Sequence, residues 1–159
     1  MTTDDPLKDM LIRHEGQVKV KANHVPYDDK TGARLDQNDT LIGKLTLGIG
    51  RNLTDRGITD DEAMYLLTND IELVRNELNV ALPWWNKENE ARCAVMISLG
   101  FNLGVPKLLT FKTTLGLWEA GKHTEAADRL MTLPWATQVG KRATELTDML
   151  RSGKWKIDA

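Results

Sequence analysis

The chain has one cysteine in 159 residues, and that scarcity sets a first limit. No internal disulfide can form, so the fold must rest on packing and hydrogen bonds. Cys93 lies in the apolar run from Ala91 to Ile97 and reads as a small buried hydrophobe. His14, His24 and His123 are widely spaced. Neither they nor Cys93 have the short ligand spacing of a structural zinc site, so no metal is expected. No apolar run approaches the roughly 20 residues that span a bilayer, so no membrane insertion is expected. The polar start, Met1-Thr-Thr-Asp-Asp-Pro6, lacks the apolar core of a signal peptide. Synthesis and folding in the cytoplasm is the expectation that follows. The net charge is only −2. It is uneven, with acids in excess over residues 1–80 and bases in excess over 81–159. That mild basic bias suits an anionic polymer or an ordinary surface, and it is too weak to suggest nucleic-acid binding.

What is present is a globular composition, 41% hydrophobic and 28% charged. The spacing predicts a helix over 5–15, with Gly16 as its stop. Val18-Lys-Val-Lys21 alternates as a half-buried strand does, and Leu45 to Gly50 reads as a second strand with glycine punctuation. Between them lie turn-forming residues, so a small irregular antiparallel sheet is expected over about 16–58. Thr59-Asp-Asp-Glu62 has the form of a capping box that opens a long helix over about 59–80. Ala63, Leu66, Leu67, Ile71, Val74 and Leu78 would form its buried stripe. Residues 90–103 are apolar on nearly every face, which marks a central core helix. Shorter helices are expected at 111–119 and 124–132. One last helix is expected from Pro134 to about Ser152, closed by Gly153, with the tail 154–159 packing back through Trp155. The other tryptophans, Trp84, Trp85, Trp118 and Trp135, read as core. A β-rich lobe, a bridging helix and an all-helical lobe over about 81–159 would make one α+β, mostly helical domain. A cleft between such lobes is a common ligand site.

Glu15 is the first candidate for chemistry. It falls in the last turn of its helix, where the partial negative charge of the helix end disfavours an ionised carboxylate. An acid that holds its proton there can give it to a leaving group. Glycoside hydrolysis needs such a donor and a second carboxylate. Asp28 and Asp29 are both available for the second role, and each also suits a turn. Thr46 precedes Gly48 and Gly50, where backbone or ligand can approach closely.

His14-Glu15-Gly16, Tyr27-x-Asp29-x-x-Gly32 and Thr46-Leu-Gly-Ile-Gly-Arg-Asn-Leu53 together resemble the lysozymes of glycoside hydrolase family 24, the phage endolysins of the T-even type. The resemblance continues through Gly57 to Ala63, Leu66 to Ile71, Ser98-x-x-Phe101-Asn-Leu-Gly104, Phe111-x-x-Thr114-Leu115 and Trp135-x-x-Gln138-x-Gly-x-Arg142, and ends at Gly153-x-Trp155. It implies a lysozyme-like fold and cleavage of the β-1,4 bond between N-acetylmuramic acid and N-acetylglucosamine in peptidoglycan. Glu15 would be the general acid, Asp29 would orient or activate water, and Thr46 would help hold that water, with inversion at the anomeric carbon. Phe101, Thr114 and Arg129 would line the saccharide site. Asn102, Gln138 and Arg142 would support it, Arg142 near Glu15, where its charge would oppose the helix-end field. No cofactor is implied. The protein would be a monomer that lyses the host cell after a separate membrane pore, a holin, releases it to the wall.

The intervals from Glu15 to Asp29 and from Gly32 to Thr46 are longer than in the T-even type, so Asp28, Asp36 and Asp39 remain rivals to Asp29. Arg51 stands where related enzymes carry His, and an ion pair with Asp70 is expected. Two other functions share the scaffold: a lytic transglycosylase on the same bond, and a non-catalytic wall-binding or virion structural module.

Overall fold

A computed structural model describes residues 5–156; the polar start and the last three residues of the tail lie outside it. The elements run α1 (Pro6–Glu15), β1 (Lys19–Val20), β2 (Asn23–His24), β3 (Tyr27–Asp28), β4 (Leu45–Leu47), β5 (Arg51–Asn52) and α2 (Asp60–Ala81). A 3₁₀ turn (Trp85–Lys87) precedes α3 (Glu90–Leu103), α4 (Val105–Leu108), α5 (Lys112–Glu119), α6 (His123–Met131), α7 (Pro134–Val139) and α8 (Lys141–Ser152). The result is the mostly helical α+β arrangement of a lysozyme-like fold. The chain divides into two compact units, one ending at Ala63 and the other beginning at Met64.

In the first unit, α1 begins where Asp5 caps it, its carboxylate accepting from the Leu7 and Lys8 amides at 3.0 and 3.4 Å. Pro6 suits the first turn because it has no amide hydrogen to leave unpaired. A hairpin joins β1 to β2, with Val20 opposite Asn23. A separate three-stranded antiparallel sheet has the order β3-β4-β5, so β4 is central. Tyr27 and Asn52 both lie opposite Thr46, one on each side. The strand expected over 45–50 therefore ends at Leu47. Gly48 and Gly50 both have φ of +66°, which breaks the extended path and turns the chain into β5.

The capping box forms as expected. The Glu62 amide donates to Thr59 Oγ1 at 3.2 Å, and the Thr59 amide donates to Glu62 Oε2 at 2.8 Å. The same Glu62 carboxylate takes both arms of Arg51, with Nη1 at 2.7 Å from Oε2. Arg51 is thus paired with Glu62, not with Asp70. The nearer acid, already fixed by the capping box, offers a forked guanidinium a carboxylate in the matching plane.

The second unit holds the apolar core. Leu78, Val95, Leu108, Trp118, Ala126, Ala127, Leu130, Ala143 and Leu150 are fully buried there. α3 is central, as its all-round apolar surface requires. Trp84 and Trp118 pack with ring centres 6.4 Å apart. Trp85 and Trp135 are buried and give their indole hydrogens to Asn79 and Asn102. In α2 only Val74 and Leu78 of the expected stripe are buried. Ile71 is half-buried, and Ala63, Leu66 and Leu67 are exposed. The single helix expected after Pro134 is two, because the chain turns at Gly140, where φ is +60°. Gly104 ends α3 and, with Pro106 in the first turn, also starts the short α4. Trp155 is about half exposed and borders a cavity of about 370 Å³ with Trp85, Cys93 and Ile97.

Cys93 is half-buried, not fully buried. Its Sγ lies 3.4 Å from the carbonyls of both Trp85 and Glu88. Burial, aided by the Glu88 charge, pushes the thiol up. That makes it a poor nucleophile.

The Arg51 bond holds Glu62 down at about 2, from an ordinary value of 4.5, with the Thr59 amide adding to the effect. A carboxylate depressed in the fold stabilises it fully above its unfolded value and loses that contribution as pH falls through the folded one. Stability should therefore drop as pH falls from about 4.5 to about 2. Glu62→Gln should flatten that limb, since the amide can still accept from Thr59 but does not titrate. Denaturant midpoints across this range check it; an unchanged slope in the variant would refute the assignment.

Candidate active site

The candidate carboxylates of the first unit meet around β4. Asp29 is exposed, and its Oδ1 accepts from the Lys44 amide at 2.7 Å. Its own amide donates to the Lys44 carbonyl at 3.1 Å. Thr46 is buried, and its hydroxyl donates to that same carbonyl at 3.1 Å. The main chain of one residue, Lys44, therefore links the candidate acid to the candidate hydroxyl through its two flanking peptide groups. The side chain of Lys44 is tethered as well, its Nζ lying 3.0 Å from Asp55 Oδ1. That contact, with a further bond from Asn52, holds Asp55 below the usual carboxylate range.

Asp28 occupies a different environment. It is 2% exposed, and its carboxylate collects four main-chain amides: Ile42 at 2.6 Å, Lys30 at 2.9 Å, Gly43 at 3.0 Å and Thr31 at 3.4 Å. The Gly43 amide, with those of Ile42, Lys30 and Thr31, holds the carboxyl below its ordinary value against the opposing effect of burial. With its lone pairs committed, it has little capacity left for a water or a sugar. Asp36 and Asp39 are exposed and spent on a local turn, in which Asp39 Oδ2 accepts from the Asp36 amide at 2.7 Å. Asp36 also pairs with Arg34 at 3.1 Å.

Two glycines fit the site and were not singled out from sequence as its supports. A Cβ on Gly43 would fall 2.3 Å from Asp29 Oδ1 and 2.7 Å from Asp28 Oδ1. A Cβ on Gly50 would fall 2.8 Å from Glu15 Oε2. The exposed carboxylate of Glu15 thus rests against the β4–β5 turn, at the opposite end of β4 from Asp29. The signal in the sequence was the Thr-x-Gly-x-Gly run for Gly50; for Gly43 there was none beyond its place just before a strand.

In the second unit the predicted sugar-binding residues fall into two places. Phe101, 44% exposed, lines an apolar groove of about 310 Å³ with Leu67, Ile71, Ile97 and Arg142. Arg142 Nη2 donates to Ser98 Oγ at 2.8 Å. Thr114 and Arg129 line a smaller polar pocket with Lys112 and Thr113. Thr114 is buried and Arg129 is exposed. Asn102 accepts from Trp135 at 3.0 Å, and Gln138 is exposed on α7.

A family model described as phage lysozyme matches residues 28–151, most of the chain. The chain belongs to the phage lysozyme family. It is therefore a glycoside hydrolase, and the general activity of its family is hydrolysis of peptidoglycan. The matched span contains Asp29, Thr46 and the helical unit's candidates, while Glu15 lies upstream of it. The chain is also similar to a probable T4-type lysozyme 1 of Dictyostelium discoideum, 27% identical over 166 residues, covering 92% of this chain and 94% of that protein.

Gly50→Ala places a methyl group against the Glu15 carboxylate at a positive φ. It should cost about 1 kcal/mol of stability or somewhat more. Displacing the acid should slow peptidoglycan clearing by roughly 10²-fold if the shift reaches about 1 Å. A thermal melt and a turbidity assay on the same preparation check both; full activity would show that Glu15 tolerates the displacement.

Proposed function

We propose that the chain is an endolysin-type muramidase. It cuts the β-1,4 bond between N-acetylmuramic acid and N-acetylglucosamine by an inverting mechanism. The observation that supports this most directly is the main chain of Lys44, whose amide donates to the Asp29 carboxylate and whose carbonyl accepts from the Thr46 hydroxyl.

Glu15 protonates the departing glycosidic oxygen. Asp29, exposed and with a second oxygen free of the Lys44 amide, accepts a proton from the attacking water. Thr46 has given its hydrogen to the Lys44 carbonyl, so its oxygen keeps a lone pair for that water. The water attacks the anomeric carbon from the face opposite the leaving group, which inverts it. Phe101, Thr114 and Arg129 bind the glycan, and Asn102, Gln138 and Arg142 support that surface from the helical unit. The protein works as a monomer with no metal or cofactor. It waits in the host cytoplasm and reaches the wall once a separate pore opens the membrane. Among the described residues no helix is long and apolar enough to cross that membrane, which suits a release carried out by another protein.

A turbidity assay on peptidoglycan, with mass analysis of the products, tests the reading. Glu15→Gln and Asp29→Asn should each lose at least about 10²-fold in rate, the usual range for a general acid or base. Products should carry reducing ends. Anhydro-muramyl ends would assign a lytic transglycosylase, and a wild type no faster than Glu15→Gln would assign a non-catalytic wall-binding module.

A further inference from the structure

The segment from Asp29 to Gly43 contains no strand or helix of its own. It is held by a bridge between Tyr27 and Arg34, by the Asp36–Asp39 turn, and at its end by Asp28. Asp28 is the side chain that ties the start of this loop to its end, reaching 14 and 15 residues along the chain to Ile42 and Gly43. The next amide after those two, that of Lys44, is the one that binds Asp29. The grip of Asp28 on Ile42 and Gly43 therefore sets how the loop enters the Lys44 position, where the Asp29 amide bond to the Lys44 carbonyl and the β3–β4 pairing take over.

We propose that Asp28 is a positioning residue for Asp29: its buried carboxylate closes the 29–43 loop and so fixes the exposed carboxylate beside it. The inference rests on the reading of Asp29 as the second carboxylate of the site. Gly43 adds an independent geometric support, because its missing side chain leaves the room in which both aspartates close on the successive amides around it. The low exposure of Asp28 and its four amide partners exclude it from direct contact with substrate in this arrangement. A role through Asp29 also explains why an aspartate stands there. An asparagine would present an NH₂ group to the converging amide hydrogens, and an alanine would leave them unpaired in the interior.

The test is steady-state kinetics on a soluble peptidoglycan fragment with the full chain, comparing Asp28→Ala, Asp28→Asn, Asp29→Asn, Gly43→Ala and the double variant Asp28→Ala/Asp29→Asn. Asp28→Ala should lower kcat by roughly 10²-fold, the effect of a misplacement of about 1 Å, with KM little changed. Asp28→Asn should recover part of that loss, since it keeps one acceptor oxygen. In the Asp29→Asn background Asp28→Ala should add almost nothing, because the route it acts through is already gone. Hydrogen exchange should show the Ile42 and Gly43 amides opening in Asp28→Ala while the amides of α3 stay protected.

Several results would overturn the inference. Asp28→Ala with normal kcat, or with a raised KM alone, would do so. So would losses that multiply in the double variant, since a merely structural role is independent of Asp29. If Asp28→Ala does not fold, Gly43→Ala decides, because it pushes on the same two carboxylates while keeping Asp28; normal kcat there sinks the proposal. Asp29→Asn at the wild-type rate would instead refute the reading of Asp29 itself, a failure that the single variants separate from that of Asp28.

Discussion

Three consecutive main-chain amides, those of Ile42, Gly43 and Lys44, point at two consecutive aspartates. Amide hydrogens are obligatory donors, and leaving them unpaired away from water costs roughly 1–3 kcal/mol each. Here the first two go to Asp28 and the third to Asp29, so side chains secure the return of a long loop just ahead of the β3–β4 pairing. β4 begins immediately afterwards and carries Thr46 between Tyr27 and Asn52. The sheet then turns at Gly48 and Gly50 and meets the side chain of Glu15. Glu15, Asp28, Asp29 and Thr46 are thus all placed by reference to β4, which is held by its pairing with β3 and β5 and by those amides at its entry.

Neighbouring carboxylates repel when both are ionised, and a site with two of them must manage that charge. The amides around Asp28 stabilise its ionised form, which is why its proton leaves more readily than usual despite burial. Asp29 keeps contact with water and binds a single amide through one oxygen, Oδ1. One carboxylate is enclosed and used up, while the other remains open to a ligand. The two roles are set by environment and not by residue type.

Much of the fold was legible because it rests on local signals. The Thr59–Glu62 box and the all-round apolar character of α3 need only a few neighbouring residues to specify them. The break at Gly140 was missed because a helix can tolerate a glycine, and only a positive φ shows that the chain has turned. The Arg51 partner was missed for a related reason: Asp70 and Glu62 are both acids on α2, and the choice between them depends on where β5 meets the helix start. Among the candidate residues, Glu15 stood out by its place at a helix end, and Asp29 and Thr46 mainly through an ordered pattern. The different surroundings of Asp28 and Asp29 were not legible, because two adjacent aspartates in a turn have the same local propensity. What separates them is the amides some 15 residues away, and no local pattern encodes that distance.

The two glycines show how such long-range information is stored. Gly43 and Gly50 flank β4, and each leaves empty the space that a carboxylate oxygen takes, Asp29 in one case and Glu15 in the other. Apart from the amide that Gly43 gives to Asp28, their contribution is the side chain they lack. A side chain at either place would meet a carboxyl group, not a flexible apolar neighbour that could repack. The strand is therefore bounded by two positions whose constraint is steric and whose consequence is electrostatic. The separation of the two acids along β4 is fixed by the length of that strand, three residues, together with the two turns that enclose it. A site specified in this way tolerates change in the loop between Asp29 and Gly43 as long as its ends return to the same amides.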